Sequence, residues 1–330
     1  MTFLLALLSY LILFVLTKSK KWSLLGTALL HLGLFGLGFL RLPPPGLVFV
    51  FWLTTLLFFL LFINKNENKY AVASAISFGF LFNLYPYYWT FYVVVFAVFI
   101  FLSLIFRLKD VSYKKYFLIF CGGMFVAIPY FISLWQSSKL PGYNESLIRL
   151  GMIFTHFPSG IDSVLVASIV VVIFIILYFK KYVTINQQNI FLFSGVLSAI
   201  IIVNQHLITG KNIEFSSHYM LGNMFWCAFV VIYLLSLWLK DKSQKIQKWI
   251  LILVVVVVSF ISAQGTVAIV KQQVSYGPAD IYIQNYAPIF KWLNNNAKLD
   301  EVVCANDDIS NSKYLFIQLF RFVFYDKRGS

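Results

Sequence analysis

Charged residues and histidines are scarce in this 330-residue chain, and they gather in a few places. One is the segment 135–162. Glu145 and Arg149 stand there at i and i+4, the spacing that sets two side chains on one face of a helix. His156 follows, then Asp162 at the start of the next apolar run. An exposed Arg149 suits bidentate contact with a phosphate, because its guanidinium is a planar fork of donors. An Arg149 paired to Glu145 would instead leave a plain surface helix, with Asp162 favoured at a helix start by the macrodipole.

The second gathering is 204–219, which holds Asn204, Gln205, His206, Lys211, Glu214 and His218. His206 and His218 with Glu214 form a candidate proton-transfer set. Asn204 and Gln205 fall near a membrane boundary, where an unpaired amide is costly. They therefore either bond neighbouring helices or line a wet cavity. No HExxH spacing occurs, and Cys121, Cys227 and Cys304 are too far apart in sequence for a zinc or disulfide pattern. No metal site is expected and no cofactor is identified; a divalent metal has no support in the spacing. Asp307-Asp308 reads as a turn.

The elements that must position these residues are set by composition. Hydrophobic residues make up 60% of the chain and charged ones 12%, against about a quarter charged in a soluble domain. This excludes a soluble enzyme, a disordered chain and a nucleic-acid-binding module. A bilayer-spanning helix needs about 20 mostly apolar residues. Charge-free runs supply ten candidates: 2–17, 23–40, 45–63, 70–87, 89–106, 116–136, 161–179, 189–206, 219–239 and 249–270. The uninterrupted stretch 70–106 is too long for one helix, and Pro86 within Tyr85-Pro86-Tyr87-Tyr88-Trp89 predicts a turn there. Gly26 and its neighbouring glycines predict close helix packing, His31 a bonded histidine of the helix interface, and Pro129 a kink.

The net charge of +14 then acquires a pattern. Loops after the first, third, fifth, seventh and ninth runs hold 15 basic residues against the acids Glu67, Asp110 and Asp241. The opposite loops hold only Arg41, Lys139, Arg149 and Lys211, against Glu145, Asp162 and Glu214. The positive-inside bias puts the basic loops in the cytoplasm and both chain ends outside. An N-terminus outside, at the start of an apolar run, leaves two readings open. Either one span is miscounted, or a helix and its outer loop precede this sequence.

The helical domain is expected over 1–270, and residues 271–330 read as a non-cytoplasmic tail. Its Tyr286–Leu293 stretch predicts an amphipathic helix and Glu301–Ala305 a strand, the start of an α/β domain. The fold class is thus an all-α polytopic membrane protein of about ten transmembrane helices with a short outer α/β tail.

The order of these motifs resembles the GT-C type of polytopic membrane glycosyltransferase, as found among bacterial membrane proteins. The motifs are the Tyr-Pro-Tyr-Tyr-Trp turn, the Asn-Glu-Ser…Arg-Leu-Gly…Phe-Pro loop, Asn-Gln-His-Leu-Ile-Thr-Gly-Lys…His-Tyr, and the Trp-Leu-Asn tail helix. The resemblance implies glycosyl transfer from a polyprenyl-phosphate-linked sugar at the non-cytoplasmic face of a plasma membrane. Its partners would be the bilayer and that lipid-linked donor. Arg149, Lys211, His218 and His206 would stabilise the departing lipid phosphate. The family carries an acidic catalytic motif in its first outer loop, whereas no acid precedes Glu67 here. The catalytic base therefore cannot be transferred by resemblance, and Asp162, Glu214 and Glu145 are the outer acids left to substitute for it. A chain complete as given would be expected to lack transferase activity. The rival readings are a flippase or transporter for lipid-linked oligosaccharide, and a non-catalytic subunit of an envelope assembly.

Overall fold

The computed structural model describes residues 2–34, 45–145, 153–154, 156–158, 161–212, 217–284 and 287–296. Nearly all of these are helical. In chain order the helices are α1 (Thr2–Thr17), α2 (Lys20–Ala28, continued by the π-helical segment Leu29–Leu34), α3 (Pro45–Lys65), α4 (Asn68–Leu84) and α5 (Pro86–Ile105). Next come α6 (Tyr113–Val126), α7 (Ile128–Ser137), α8 (Ile161–Phe179), α9 (Gln187–Val203) and the single turn α10 (His206–Thr209). The last are α11 (Ser217–Lys240), α12 (Gln244–Gln284) and α13 (Ala287–Asn296). The chain divides into two compact units, Met1–Ala263 and Gln264–Ser330. The strand expected at 301–305 lies outside the described residues.

Among the described residues, five helices are long and apolar enough to cross a membrane: Leu47–Lys65, Pro86–Ile105, Ile161–Phe179, Gln187–Thr209 (α9 with α10) and His218–Lys240. The pair α6–α7 makes a sixth if its two halves are one span bent by 50°. Pro129 lies in the first turn of α7, where a missing N–H costs no hydrogen bond but prevents α6 from continuing straight. The apolar α1 is shorter, and α4 has only 17 residues. Pro86 separates α4 from α5 as the proline rule predicts. Tyr85 before it is extended (φ −161°, ψ 119°), and Pro86 opens α5 at a position that needs no donor.

The helices of the first unit share a core made largely of rings. Trp52 of α3, Phe91 and Tyr92 of α5, Phe191 of α9 and Trp226 of α11 are buried together. The Trp52 and Trp226 ring centroids lie 6.0 Å apart, and those of Phe49 and Phe225 4.7 Å apart. Two buried ring heteroatoms are tied to backbone: Tyr92 OH donates to Trp52 O at 2.7 Å and Trp226 Nε1 to Leu192 O at 2.9 Å. Gly195 makes that second contact possible, since a Cβ there would fall 1.8 Å from the Trp226 indole. Gly26 packs in the same way against Leu13 and Ile232, and Gly79 against Val126 and the Gly123 carbonyl. His31 is a bonded interface histidine as expected, its Nε2 2.9 Å from Ser9 Oγ.

The outward faces carry large apolar side chains. Phe125 is 73% exposed and Phe179 75%, with Leu165, Ile169, Val172 and Ile176 also outward on α8. A soluble protein does not expose apolar patches on this scale.

Candidate functional site

The two ends of the bundle differ in chemistry. At one end lie the C-termini of α3, α5, α8 and α11. Four of the turns that close helices have a non-glycine residue in the left-handed region: Lys18, Asn66, Arg107 and Lys181, with φ from 50° to 64°. Three are basic, and a cation suits the negative end of a helix dipole. Long side chains then join the turns. Lys115 Nζ donates to Asn66 Oδ1 at 2.8 Å, Asn64 Nδ2 to Gln188 Oε1 at 2.9 Å, and Lys242 Nζ to Tyr182 OH at 3.2 Å. Glu67 and Lys69 form an exposed ion pair at 2.6 Å. The hydrogen bond from Lys69, with its charge, holds the Glu67 carboxyl below the usual range.

The other end is built from aromatic rings and histidines, in two clusters. The first joins the Tyr85-Pro86 turn to the start of α11. Tyr85 OH is hydrogen-bonded to His218 Nδ1. The Tyr87 ring stacks on the His218 imidazole, with centroids 4.7 Å apart and planes 16° apart. Tyr219, beside His218, bonds through its hydroxyl to Thr90 Oγ1 at 3.0 Å and meets Tyr87 edge-on. His218 is half-buried. The antiparallel packing of α9 and α11 brings it there, since Asn223 bonds the Ala199 carbonyl and Tyr233 OH bonds Asn189.

The second cluster locks two loops together. Ile153–Phe154 (β1) pairs antiparallel with Lys211–Asn212 (β2). Beside this short ladder two histidines make reciprocal bonds. His156 Nδ1 donates to Leu207 O at 3.1 Å, and His206 Nε2 donates to Phe157 O at 2.5 Å. A carbonyl can only accept, so these contacts fix which nitrogen of each ring carries hydrogen. His206 is fully buried, and its Nδ1 has no partner among the described residues. Gly210 closes α10 in the left-handed conformation (φ +70°), and a Cβ there would lie 3.1 Å from the His156 ring.

The residues singled out by sequence are therefore dispersed over different tasks. His206 holds the loop latch and His218 the tyrosine cluster; each has its own partners. Lys211 supplies backbone to the two-residue ladder. Asp162 is exposed in the first turn of α8, and Glu145 is exposed three residues beyond the Gly142 turn. Arg149 and Glu214 lie outside the described residues. Sequence reasoning passed over Tyr85, Tyr87, Thr90 and Tyr219 as site residues. The Tyr-Pro-Tyr-Tyr-Trp run is the available signal, which the sequence offers as a turn and as one motif of the resemblance but not as a set of site residues. Lys139, the one described lysine of the loop after α7, sits 3.3 Å from the Trp135 ring centroid.

Among the described residues no group of three His, Cys, Asp or Glu side chains is placed to hold a metal ion. Cys121 and Cys227 are free thiols. Long apolar helices around a ring-filled core, with apolar side chains outward, define a multi-pass helical membrane protein. Comparison with protein-family models, with curated proteins and with solved structures gives no match to this chain.

Proposed function

We propose that the chain is a GT-C-like integral membrane protein that handles a polyprenyl-phosphate-linked sugar at the non-cytoplasmic face of a bacterial plasma membrane. On this reading about ten helices span the bilayer, the lysine-rich end faces the cytoplasm, and the Tyr85–His218 end faces out. The observation that carries it is the meeting of Tyr85 and Tyr87 with His218, at the end of the bundle opposite the lysines. Flat ring faces suit the apolar faces of a sugar or prenyl chain, and an imidazole beside them suits a phosphate oxygen. In the transfer itself an acceptor oxygen attacks the anomeric carbon while the bond from that carbon to the phosphate oxygen breaks. The acceptor proton passes to a carboxylate, for which Asp162, Glu145 and Glu214 are the candidates. His218, His206, Lys211 and Arg149 are the candidates to offset charge on the leaving phosphate. The filling of the core by Trp52, Tyr92, Phe191 and Trp226 supports this over a path for cargo through the bundle.

The test is reconstitution in vesicles with a polyprenyl-phosphate sugar and an oligosaccharide acceptor. Release of polyprenyl phosphate that depends on the protein is expected. Donor that is flipped across the bilayer but never cleaved would transfer the assignment to a transporter. Side-specific labelling of cysteines placed at Lys115 and at Tyr143 would check the orientation.

A further inference from the structure

We propose that the corner where α8 and α11 end, at the lysine-rich face, binds an anionic phospholipid. Its phosphate would sit among Lys180, Lys181 and Lys242, and an acyl chain would lie along the outward face of α8. That face carries Leu165, Ile169, Val172, Ile176 and Phe179, all exposed and alternately four and three residues apart. They make one stripe of about 21 Å at about 1.5 Å per residue, longer than half of a bilayer core of about 30 Å. The stripe runs directly into Lys180 and Lys181, both exposed.

The turn that carries these lysines is fixed by its backbone. Lys180 N donates to Ile176 O, Lys181 N to Tyr178 O and Tyr182 N to Leu177 O, each at 2.9 Å, with Lys181 in the left-handed region at φ 64°. Lys242 Nζ donates to Tyr182 OH at 3.2 Å and lies 5.5 Å from the Tyr182 ring centroid and 5.3 Å from that of Trp238. The end of α11 is thereby tied to the end of α8. Lys240 is exposed two residues before Lys242. Among the described residues none of these four lysines is in an ion pair. Asp241, exposed between Lys240 and Lys242, is the acid of this corner. Tyrosine and tryptophan beside the lysines suit the headgroup level of a bilayer.

Charge decides the occupant. A zwitterionic lipid covers the stripe as well, but it brings a cation of its own to the lysines. A second copy of the chain, related by a twofold axis along the bilayer normal, would set its own Lys180 and Lys181 against these, like charge on like. A free phosphate ion finds the lysines and leaves the stripe uncovered. An anionic phospholipid satisfies both parts, and basic side chains at a membrane surface favour it. The corner lies at the opposite end of the bundle from the Tyr85–His218 cluster, so its role stands whether or not that cluster takes a sugar donor.

The test titrates the full chain in detergent with dioleoylphosphatidylglycerol, dioleoylphosphatidylcholine and glycerol phosphate, and native mass spectrometry counts the retained ligand. A phosphatidylglycerol with a photoreactive headgroup then marks its contacts for peptide mapping. Phosphatidylglycerol is expected to bind about tenfold tighter than phosphatidylcholine, to weaken with added salt, and to label the segments 176–182 and 238–242. The double variant Lys180→Gln, Lys181→Gln should lose that preference, and the double variant Lys180→Arg, Lys181→Arg should keep it. Lys139→Gln, in the loop after α7, should leave it unchanged. Labelling of the wild type needs no variant and decides the location even if the glutamine pair does not fold. Equal retention of the two lipids, a preference that survives the glutamine pair, or label confined to the loop between α5 and α6 would overturn the proposal. So would glycerol phosphate binding as tightly as the lipid, or a dimer of the chain that excludes phosphatidylglycerol.

Discussion

The two ends of the helical bundle solve the same problem, joining loops from distant parts of the sequence, with different side chains. At the lysine-rich end the joints are long and exposed, as in Lys115 to Asn66 and Lys242 to Tyr182. A lysine can reach its acceptor from many backbone positions, so such a joint tolerates small shifts of its helices. At the aromatic end the joints are short rings. His206 to Phe157 and Tyr85 to His218 exist only while the register of α9 against α11 and the placement of residues 156–158 are kept. The difference teaches that both ends need distant helices brought together, but the second depends on their close register, whereas the long side chains of the first tolerate small shifts.

This contrast can be broken in a definite order. The largest effect is expected from Gly195→Ala. The added Cβ would sit 1.8 Å from the Trp226 ring, force α9 and α11 apart and cost about 3 kcal/mol. Thermal unfolding in detergent should show the loss, and the Tyr85–His218 contact should loosen with it; a melting point equal to wild type would show the close approach to be unimportant. His206→Leu comes next. It leaves the Phe157 carbonyl without its donor at a cost of about 2 kcal/mol, and protease should then cut the 145–160 segment faster. If Lys115→Met, at the opposite end, cost as much as His206→Leu, the difference between the ends would vanish.

Lys181→Gly should act in the opposite direction. The residue has φ 64°, a conformation glycine adopts freely, so the change is expected to stabilise the chain by about 1 kcal/mol in the same unfolding assay. The smallest effect belongs to Glu67→Gln. The bond from Lys69 depresses the folded carboxyl pKa, so the contribution of this pair is present above the ordinary carboxylate pKa and fades as pH falls through the folded value. The variant should match the wild type at low pH and fall slightly below it at neutral pH, and added salt should erase the gap.

Much of the helical layout could be read from residue order. The break at Pro86, the bend near Pro129, the packing of Gly26 and the bonded state of His31 all follow from local rules about proline, glycine and buried polar groups. The candidate site was legible in its parts only. His206 and His218 could be singled out as histidines in a polar loop, but no spacing rule separates their tasks. Nor could sequence show that Tyr85 would reach a residue 133 positions away.

The sequence by itself determined where most of the described helices form and how basic residues segregate among the loops; of its ten apolar runs, five or six are helices long enough for a bilayer among the described residues. Those are properties of consecutive residues, and the cohesion of an apolar run or the clustering of lysines needs no distant partner. Only the tertiary structure decided that Tyr85 and Tyr87 enclose His218, that His156 and His206 latch two loops, and that Gly195 admits Trp226. The physical reason is that such contacts are short-ranged and directional. They appear once helices far apart in the chain have packed in a single register, and that register is chosen by the fit of buried rings across the whole core.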